Sequence, residues 1–409
     1  MATQQSNIEK RRTESISLAN GGFARETEVM TTKGPVQVSE LEVRHQVPAL
    51  DLTTGVVKPK QLTSVEAVSS SDEIVILAGK RFDFAVAPEH PIPYCTKAIQ
   101  TPRLTTANAL EQQRYYKFVN QWRYASGAHV ETVDVTTLTD EYQICVTPEQ
   151  HGRSFRTALP DDCIPVQRNG YTGYTFDAAT FERYREEICA EAVETSIRSG
   201  KGHRRQPYQF DGDDFIEFLG WFVTEGSVYW PQDRQTATVQ IAQKTERHRR
   251  RIESLLRRMA FDPHQQENGF RFGSYLYGQL LTDLCGDDSH SKRLPDLVWL
   301  FSTEQKEHLL EILLFGDGNE YGTYYTASDR LAGDILQLCL EVGYKPRYVY
   351  RRGTWQIFVN EVNDGFDTDT HLSTELYDGL LYQLTVEDDP IVMAGRNGKF
   401  QWVGVSNVC

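Results

Sequence analysis

Short runs of β-branched and aromatic residues recur between Gly22 and Ala87, at 27–31, 36–38, 47–52, 56–57, 63–68, 73–78 and 82–87. Turns at Lys33-Gly34-Pro35, Thr54-Gly55 and Gly79-Lys80 separate several of them. Close spacing with this turn chemistry predicts an all-β module. The pattern then weakens. Residues 112–122 mix Tyr115, Tyr116, Phe118 and Trp122 with polar positions and read as a helix. Residues 130–138 and 142–146 read as strands that complete the module. Phe181, Tyr184, Ile188, Ala192 and Ile197 fall near helical spacing and predict a helix over 176–197. A basic, Gly-rich linker follows at 199–205.

The centre of the chain carries two apolar runs, Phe218-Leu-Gly-Trp-Phe-Val-Thr-Glu-Gly226 and Leu310-Glu-Ile-Leu-Leu-Phe-Gly-Asp-Gly318, each ending in an acid and a glycine. Their acids, Glu225 and Asp317, lie 92 positions apart (317 − 225). Asp211, Asp213 and Asp214 open the first run as a helix start, where carboxylates cap and complement the dipole. Gly220 inside it costs about 1 kcal/mol against Ala, which predicts close approach of a partner helix. Gly226 is expected to stop the helix in a left-handed conformation. Strands near 228–230, 237–243 and 270–272 and helices at 245–259 and 275–285 follow the first run. A strand at 321–326, a helix at 329–342 and a hairpin turning at Arg352-Gly353 follow the second. The shared order predicts an internal repeat of about 90 residues.

Composition narrows the class. A chain of 409 residues exceeds one core, so two or three domains are expected. The seven cysteines include no CxxC pair, against a zinc knuckle or disulfide framework and for a reducing compartment. No apolar run approaches the ~18 residues of a membrane span, and the polar start lacks a secretory core, so a cytoplasmic or nucleoid-associated protein is expected. The net charge of −14 argues against non-specific coating of nucleic acid.

Residues 23–31, 50–58 and 86–91 resemble the opening blocks of the Hint (hedgehog/intein) module, and 384–388, 396–399 and 402–404 resemble its closing blocks. The splicing positions depart from that family. The nucleophile position is Gly22, yet an acyl shift needs a thiol or hydroxyl. The block Thr corresponds to Ala87, while the block His remains as His90, read as a satisfied structural histidine. The terminal Asn falls on Val405. The fold is therefore expected to persist and splicing to be lost. The two acid-tipped runs, with Lys292-Arg-Leu-Pro295, resemble the LAGLIDADG homing endonucleases.

The resemblances imply an α+β protein: an all-β Hint-like module split around a two-repeat αββαββα LAGLIDADG domain. The implied boundaries are a 1–21 extension, a 22–205 Hint-like half, a 206–370 endonuclease domain and a 371–409 Hint-like half. The implied activity is Mg²⁺-dependent hydrolysis of double-stranded DNA by a monomer. Glu225 and Asp317 would hold metal, backbone carbonyls near Gly226 and Gly316 would complete its shell, and Lys292 would stabilise charge or orient water. Gln240, Gln243, Lys244, Arg271, Arg347, Arg351 and Arg352 would contact DNA, with Tyr348 and Tyr350 interleaved. The run Arg247-His-Arg-Arg-Arg251 is expected to be a solvated helix face. The alternative is an intein-derived protein recruited as a non-catalytic DNA-binding or structural component. A self-splicing element is opposed by Gly22 and Val405.

Overall fold

The computed structural model describes residues 21–97, 101–135, 138, 164–168, 171–175, 209–231, 237–261, 263–359, 365–387 and 391–405. The chain divides into two compact units. The first contains residues up to Ala125, Gly343–Val349 and Val359 onward; the second contains Ser126–Val342 and Tyr350–Phe358. No described helix is long and apolar enough to cross a membrane.

The first unit is built on a twelve-stranded sheet to which both ends of the chain contribute. The 15-residue strand Val56–Ser70 pairs antiparallel with Gly379–Val386, and Phe23 lies opposite both Tyr382 and Val86. Ile391–Arg396 likewise pairs with Glu28–Thr31. The runs predicted between 22 and 87 are thus strands; some pair with their neighbours, as Gln46–Asp51 does with Val56–Ser70 and Glu73–Ala78 with Asp83–Val86, while others pair with strands more than 300 positions away. Phe84, Phe118 and Phe366 pack in the core beneath them.

Three expectations are revised. Residues 112–122 contain a strand, Tyr115–Lys117, not a helix. Tyr116 and Phe118 are buried while Tyr115 faces solvent, a period of two that places both rings against Phe366. The strand expected at 130–138 is only Thr132–Asp134; it pairs with Gln209–Asp211 and so belongs to the second unit, not the β module. The first stretch of the first unit consequently ends at Ala125 rather than 205, and the unit takes up the chain again at Gly343–Val349 and from Val359 rather than from 371, with Gly365–Asp367 paired to Tyr115–Lys117. The strand at 142–146, the helix at 176–197, the linker at 199–205 and residues 1–20 lie outside the described residues.

The second unit follows the predicted repeat. Its first half runs α1 (Gly212–Glu225), strands Gly226–Tyr229 and Thr238–Ala242, α2 (Glu246–Arg258), strands His264–Gln266 and Gly269–Gly273, and α3 (Tyr275–Cys285). The second half has α4 (Thr303–Asp317), strand Thr323–Thr326, α5 (Asp329–Glu341), and strands Tyr348–Arg351 and Thr354–Phe358. Its first hairpin is reduced to a bridge between Gly318 and Tyr324. Asp211 caps α1 by accepting from the amides of Asp213 and Asp214, and Ser302 with Gln305 forms a capping box on α4.

Helices α1 and α4 pack in register. Asp213 and Gln305 each lie twelve residues before an acid, and they are joined by a 2.7 Å hydrogen bond. Gly220 and Ile312 each lie five before, and a Cβ on Gly220 would come within 2.8 Å of Ile312 Cγ2. Thr224 and Gly316 each lie one before, and a Cβ on Gly316 would fall 2.3 Å from Thr224 Oγ1. Equivalent positions meet each other, so the helices run parallel about a local pseudo-two-fold axis. The close approach expected from Gly220 is present. Overpacking this seam should be costly: Gly316→Val is expected to lower stability by about 1–3 kcal/mol in urea unfolding.

Candidate functional site

Glu225 is the last residue of α1 and Asp317 the last of α4, so the in-register seam delivers two partly buried carboxylates together. The chain leaves each helix in an extended conformation, with φ of −89° at Gly226, in place of the left-handed stop expected there, and −98° at Gly318. Glycine is needed there for space: a Cβ on Gly226 would come within 2.4 Å of the Phe222 carbonyl oxygen.

The acids have different neighbours. Gln243 Nε2 donates to Glu225 Oε1 at 3.0 Å, while Gln243 Oε1 accepts from the amides of Lys244 and Thr245 at 2.9 Å. Tyr324, fully buried, directs its hydroxyl at Asp317 Oδ2 from 3.5 Å. Burial, and then the charge of Asp317, push the Glu225 carboxyl up to about 7 against the Gln243 hydrogen bond. Burial likewise pushes Asp317 up to about 6, opposed by Tyr324 and by the positive charge of Lys292.

Lys292 reaches the seam, as expected, but its contacts are structural. Its ammonium donates to the carbonyls of Phe222 at 2.9 Å and Gly226 at 3.0 Å, and lies 4.0 Å from the centre of the Phe222 ring. It therefore neutralises the C-terminal end of α1. Burial lowers its pKa to about 8. The Gly226 carbonyl expected to complete a metal shell is engaged by this lysine.

Among the described residues no group of three His, Cys, Asp or Glu side chains is arranged to hold a metal. The two carboxylates nevertheless match a hard, oxygen-seeking cation such as Mg²⁺, which commonly takes one or two carboxylates and fills its remaining positions with water and phosphate. A cation there would relieve the repulsion that raises Glu225.

The expected DNA-contacting residues separate into four groups. Gln240 and Arg271 lie opposite each other on adjacent strands, in one row with Ser227 and His264. Val239 and Ile241 point inward, so this row occupies the outer face. Lys244 is exposed, as are Arg351, Arg352 and Tyr350 near a hairpin tip where Arg352 and Gly353 both have positive φ, 54° and 76°. Gln243 instead is buried and taken up by Glu225. Arg347 and Tyr348 belong to the first unit, where Arg347 bridges Lys399 and Tyr348 donates to Glu28. The basic run on α2 is also less solvated than expected: Arg251 binds buried Glu217 at 2.6 Å, and Arg249 donates to the carbonyls of Gln243, Gln266 and Glu267.

Gly22, Ala87, His90 and Val405, the positions matched to splicing residues, lie in the first unit. Ala87 N–H donates to the Gly22 carbonyl at 2.9 Å, and His90 N–H to the Ala87 carbonyl at 3.0 Å. The His90 ring packs edge-on to Phe23 at 4.4 Å. Val405 is fully buried. His90 is structural but not satisfied: neither ring nitrogen makes a well-formed hydrogen bond among the described residues, although the Gly404 carbonyl faces the ring. Burial drives its pKa down to about 3.

Sequence reasoning missed Tyr324 and the role of Gln243. The sequence Thr323-Tyr-Tyr-Thr326 does not tell the buried Tyr324 from the exposed Tyr325. Nothing in the sequence marks Gln243 apart from its neighbours.

No family model matches the chain. It is similar to a DNA polymerase of Thermococcus hydrothermalis, 23% identical over 173 residues, covering 40% of this chain and 10% of the polymerase. A DNA polymerase of Pyrococcus horikoshii is 24% identical over 198 residues, covering 45% of this chain and 14% of the polymerase. The chain thus spans 10 to 14% of the length of these curated relatives. Among solved structures, a bacterial intein-like domain from Clostridium thermocellum shares 18% identity, covers 25% of this chain and 67% of its own, and has a TM-score of 0.21. A homing endonuclease bound to its DNA recognition sequence shares 11% identity, covers 37% of this chain and 76% of its own, and has a TM-score of 0.27. The structural neighbours therefore include an intein-like domain and a homing endonuclease.

The raised carboxylates predict an unusual pH dependence. Between its ordinary pKa of 4.5 and its folded value of about 7, Glu225 holds more proton in the folded than in the unfolded state. Its contribution to stability therefore falls as pH rises through that window. Glu225→Gln is expected to raise the melting temperature at pH 8 but not at pH 4.5, as followed by circular dichroism.

Proposed function

We propose that this chain is a double-strand DNA endonuclease in which Glu225 and Asp317 support phosphodiester hydrolysis, carried with a Hint-like β module that does not splice. The observation that supports it most is the in-register seam. Two parallel helices related by a pseudo-two-fold axis end in two acids, and duplex DNA presents two backbones related by a dyad. One carboxylate per strand is the matching arrangement.

Each residue has a part in this reading. Glu225 and Asp317 would hold Mg²⁺. When bound, the cation supplies positive charge against the negative charge that develops on the scissile phosphate. Gln243 fixes the orientation of Glu225, and Lys292 anchors the end of α1 so that Glu225 stays in the seam. Gln240 and Arg271 offer hydrogen-bonding groups to base edges, since a β-ribbon fits the major groove. Lys244, Arg351 and Arg352 supply local positive charge for phosphates, which a chain of net charge −14 needs where it meets DNA. The partial match to polymerases supports a segment shared with them rather than polymerase activity. In the β module, glycine at position 22 has no atom that can attack the preceding carbonyl.

Incubation with a randomised duplex library and Mg²⁺, followed by sequencing of broken ends, should recover a defined long site. Glu225→Gln or Asp317→Asn should lower double-strand cutting by at least about a thousandfold, with binding to the recovered site retained in gel shift. Specific binding without cutting by the wild type would favour the non-catalytic reading. Incubation with thiol between pH 6 and 9 should leave one full-length band; ligated flanks or a released segment would overturn the loss of splicing.

A further inference from the structure

The two acids occupy equivalent positions on equivalent helices, yet the groups that hold them are not equivalent. Gln243 is clamped before it meets Glu225. Its backbone N–H donates to Asn268, its backbone carbonyl accepts from Arg249, and its side-chain oxygen accepts two successive backbone amides. That double acceptance fixes which end of the amide is oxygen, so the NH₂ must face Glu225. It engages Oε1, with no described donor on Oε2.

Tyr324 is held just as firmly by other means. It bridges Gly318, and the turn between them is closed by Asn319 Oδ1, which accepts from the amides of Tyr321 and Thr323 at 3.0 Å. Strand pairing sets Tyr324 opposite Ile357, and its ring is fully buried. Asp317 Oδ2 is the acceptor its hydroxyl faces, and Oδ1 has no described donor. The phenol comes from seven residues after its acid and the amide from eighteen after, so the repeat did not copy one into the other.

We infer that Gln243 and Tyr324 are positioning residues, each holding one oxygen of its carboxylate and leaving the other open to a cation, and that their different chemistry makes the two strand-cutting halves unequal. A fixed amide can only donate to the carboxylate, whereas a phenol can rotate its hydrogen away. This inference rests on the endonuclease reading above. It assigns Glu225 with Gln243 to one DNA strand and Asp317 with Tyr324 to the other.

The test uses the full chain with Tyr324→Phe and Gln243→Met, which remove the donors at nearly constant volume. Mn²⁺ binding followed by electron paramagnetic resonance reads the carboxylates without requiring cleavage. Each variant is expected to bind Mn²⁺ about tenfold more weakly with little change in melting temperature. On a duplex labelled separately on each strand, the two variants should slow cutting of opposite strands and accumulate complementary nicked products. Wild-type Mn²⁺ affinity in both variants, or equal slowing of both strands, would overturn the inference while leaving the endonuclease reading intact. A wild-type chain that binds no Mn²⁺ and cuts no DNA would overturn both. If Tyr324→Phe does not fold, Gln243→Met decides the question by the same two readouts.

Discussion

Two parallel helices can bring their last side chains together only if their backbones approach closely near those ends. Gly220 and Gly316 provide that approach, one against Ile312 and Leu309, the other against Thr224. The large apolar residues on either side bury the seam, with Phe218, Leu219, Phe222, Leu309 and Leu313 inaccessible to solvent. Apolar burial supplies the attraction, and the absence of two Cβ atoms sets the distance. The strand after α1 begins at Gly226, directly after Glu225, and Gly318, directly after Asp317, bridges Tyr324, so the seam also sets where the chain enters each sheet.

The same packing works against the acids it assembles. Taking two carboxylates out of water beside each other disfavours their charged forms, and both are raised. Such a destabilised pair persists where something else binds to it or where surrounding structure fixes it. Here the neighbours that fix it are neutral donors, Gln243 and Tyr324, with Lys292 offering its charge to Asp317 while its hydrogen bonds go to backbone carbonyls. Elsewhere in the same unit a buried acid is treated in the opposite way: Glu217, hydrogen-bonded by His308, Arg251 and Trp221, is lowered to about 2 despite its burial. The contrast separates an acid locked into structure from acids kept available.

The first unit buries an imidazole among backbone groups. The carbonyl of Gly22 is held by Ala87, and His90 lies buried against Phe23 with the Gly404 carbonyl before it. A neutral imidazole can remain in such a place because its desolvation cost falls chiefly on the charged form.

Local pattern was enough for the strands between 22 and 87, for both acid-tipped helices, for the turn at Arg352-Gly353 and for the doubled order of elements around Glu225 and Asp317. Each of these depends on hydrophobic period or on a turn residue, which neighbours in sequence decide. Pattern also gave a reason for Gly220, because a costly residue in a buried helix requires a partner. It misled at 112–122, where aromatic residues alternate in and out of a core completed by Phe366. It could not show that Val130–Val135 leads toward α1 rather than into the β module, because the partner strand Gln209–Asp211 lies some 75 positions on. Nor could it separate Gln243 from Gln240, or Arg347 from Arg351, since adjacent polar residues look alike until pairing decides which faces water and which meets a buried acid. The sequence alone determined that two carboxylates would end two buried helices. Only the tertiary structure decided what holds each one, because those partners come from strands and loops whose positions are set by contacts distant in sequence.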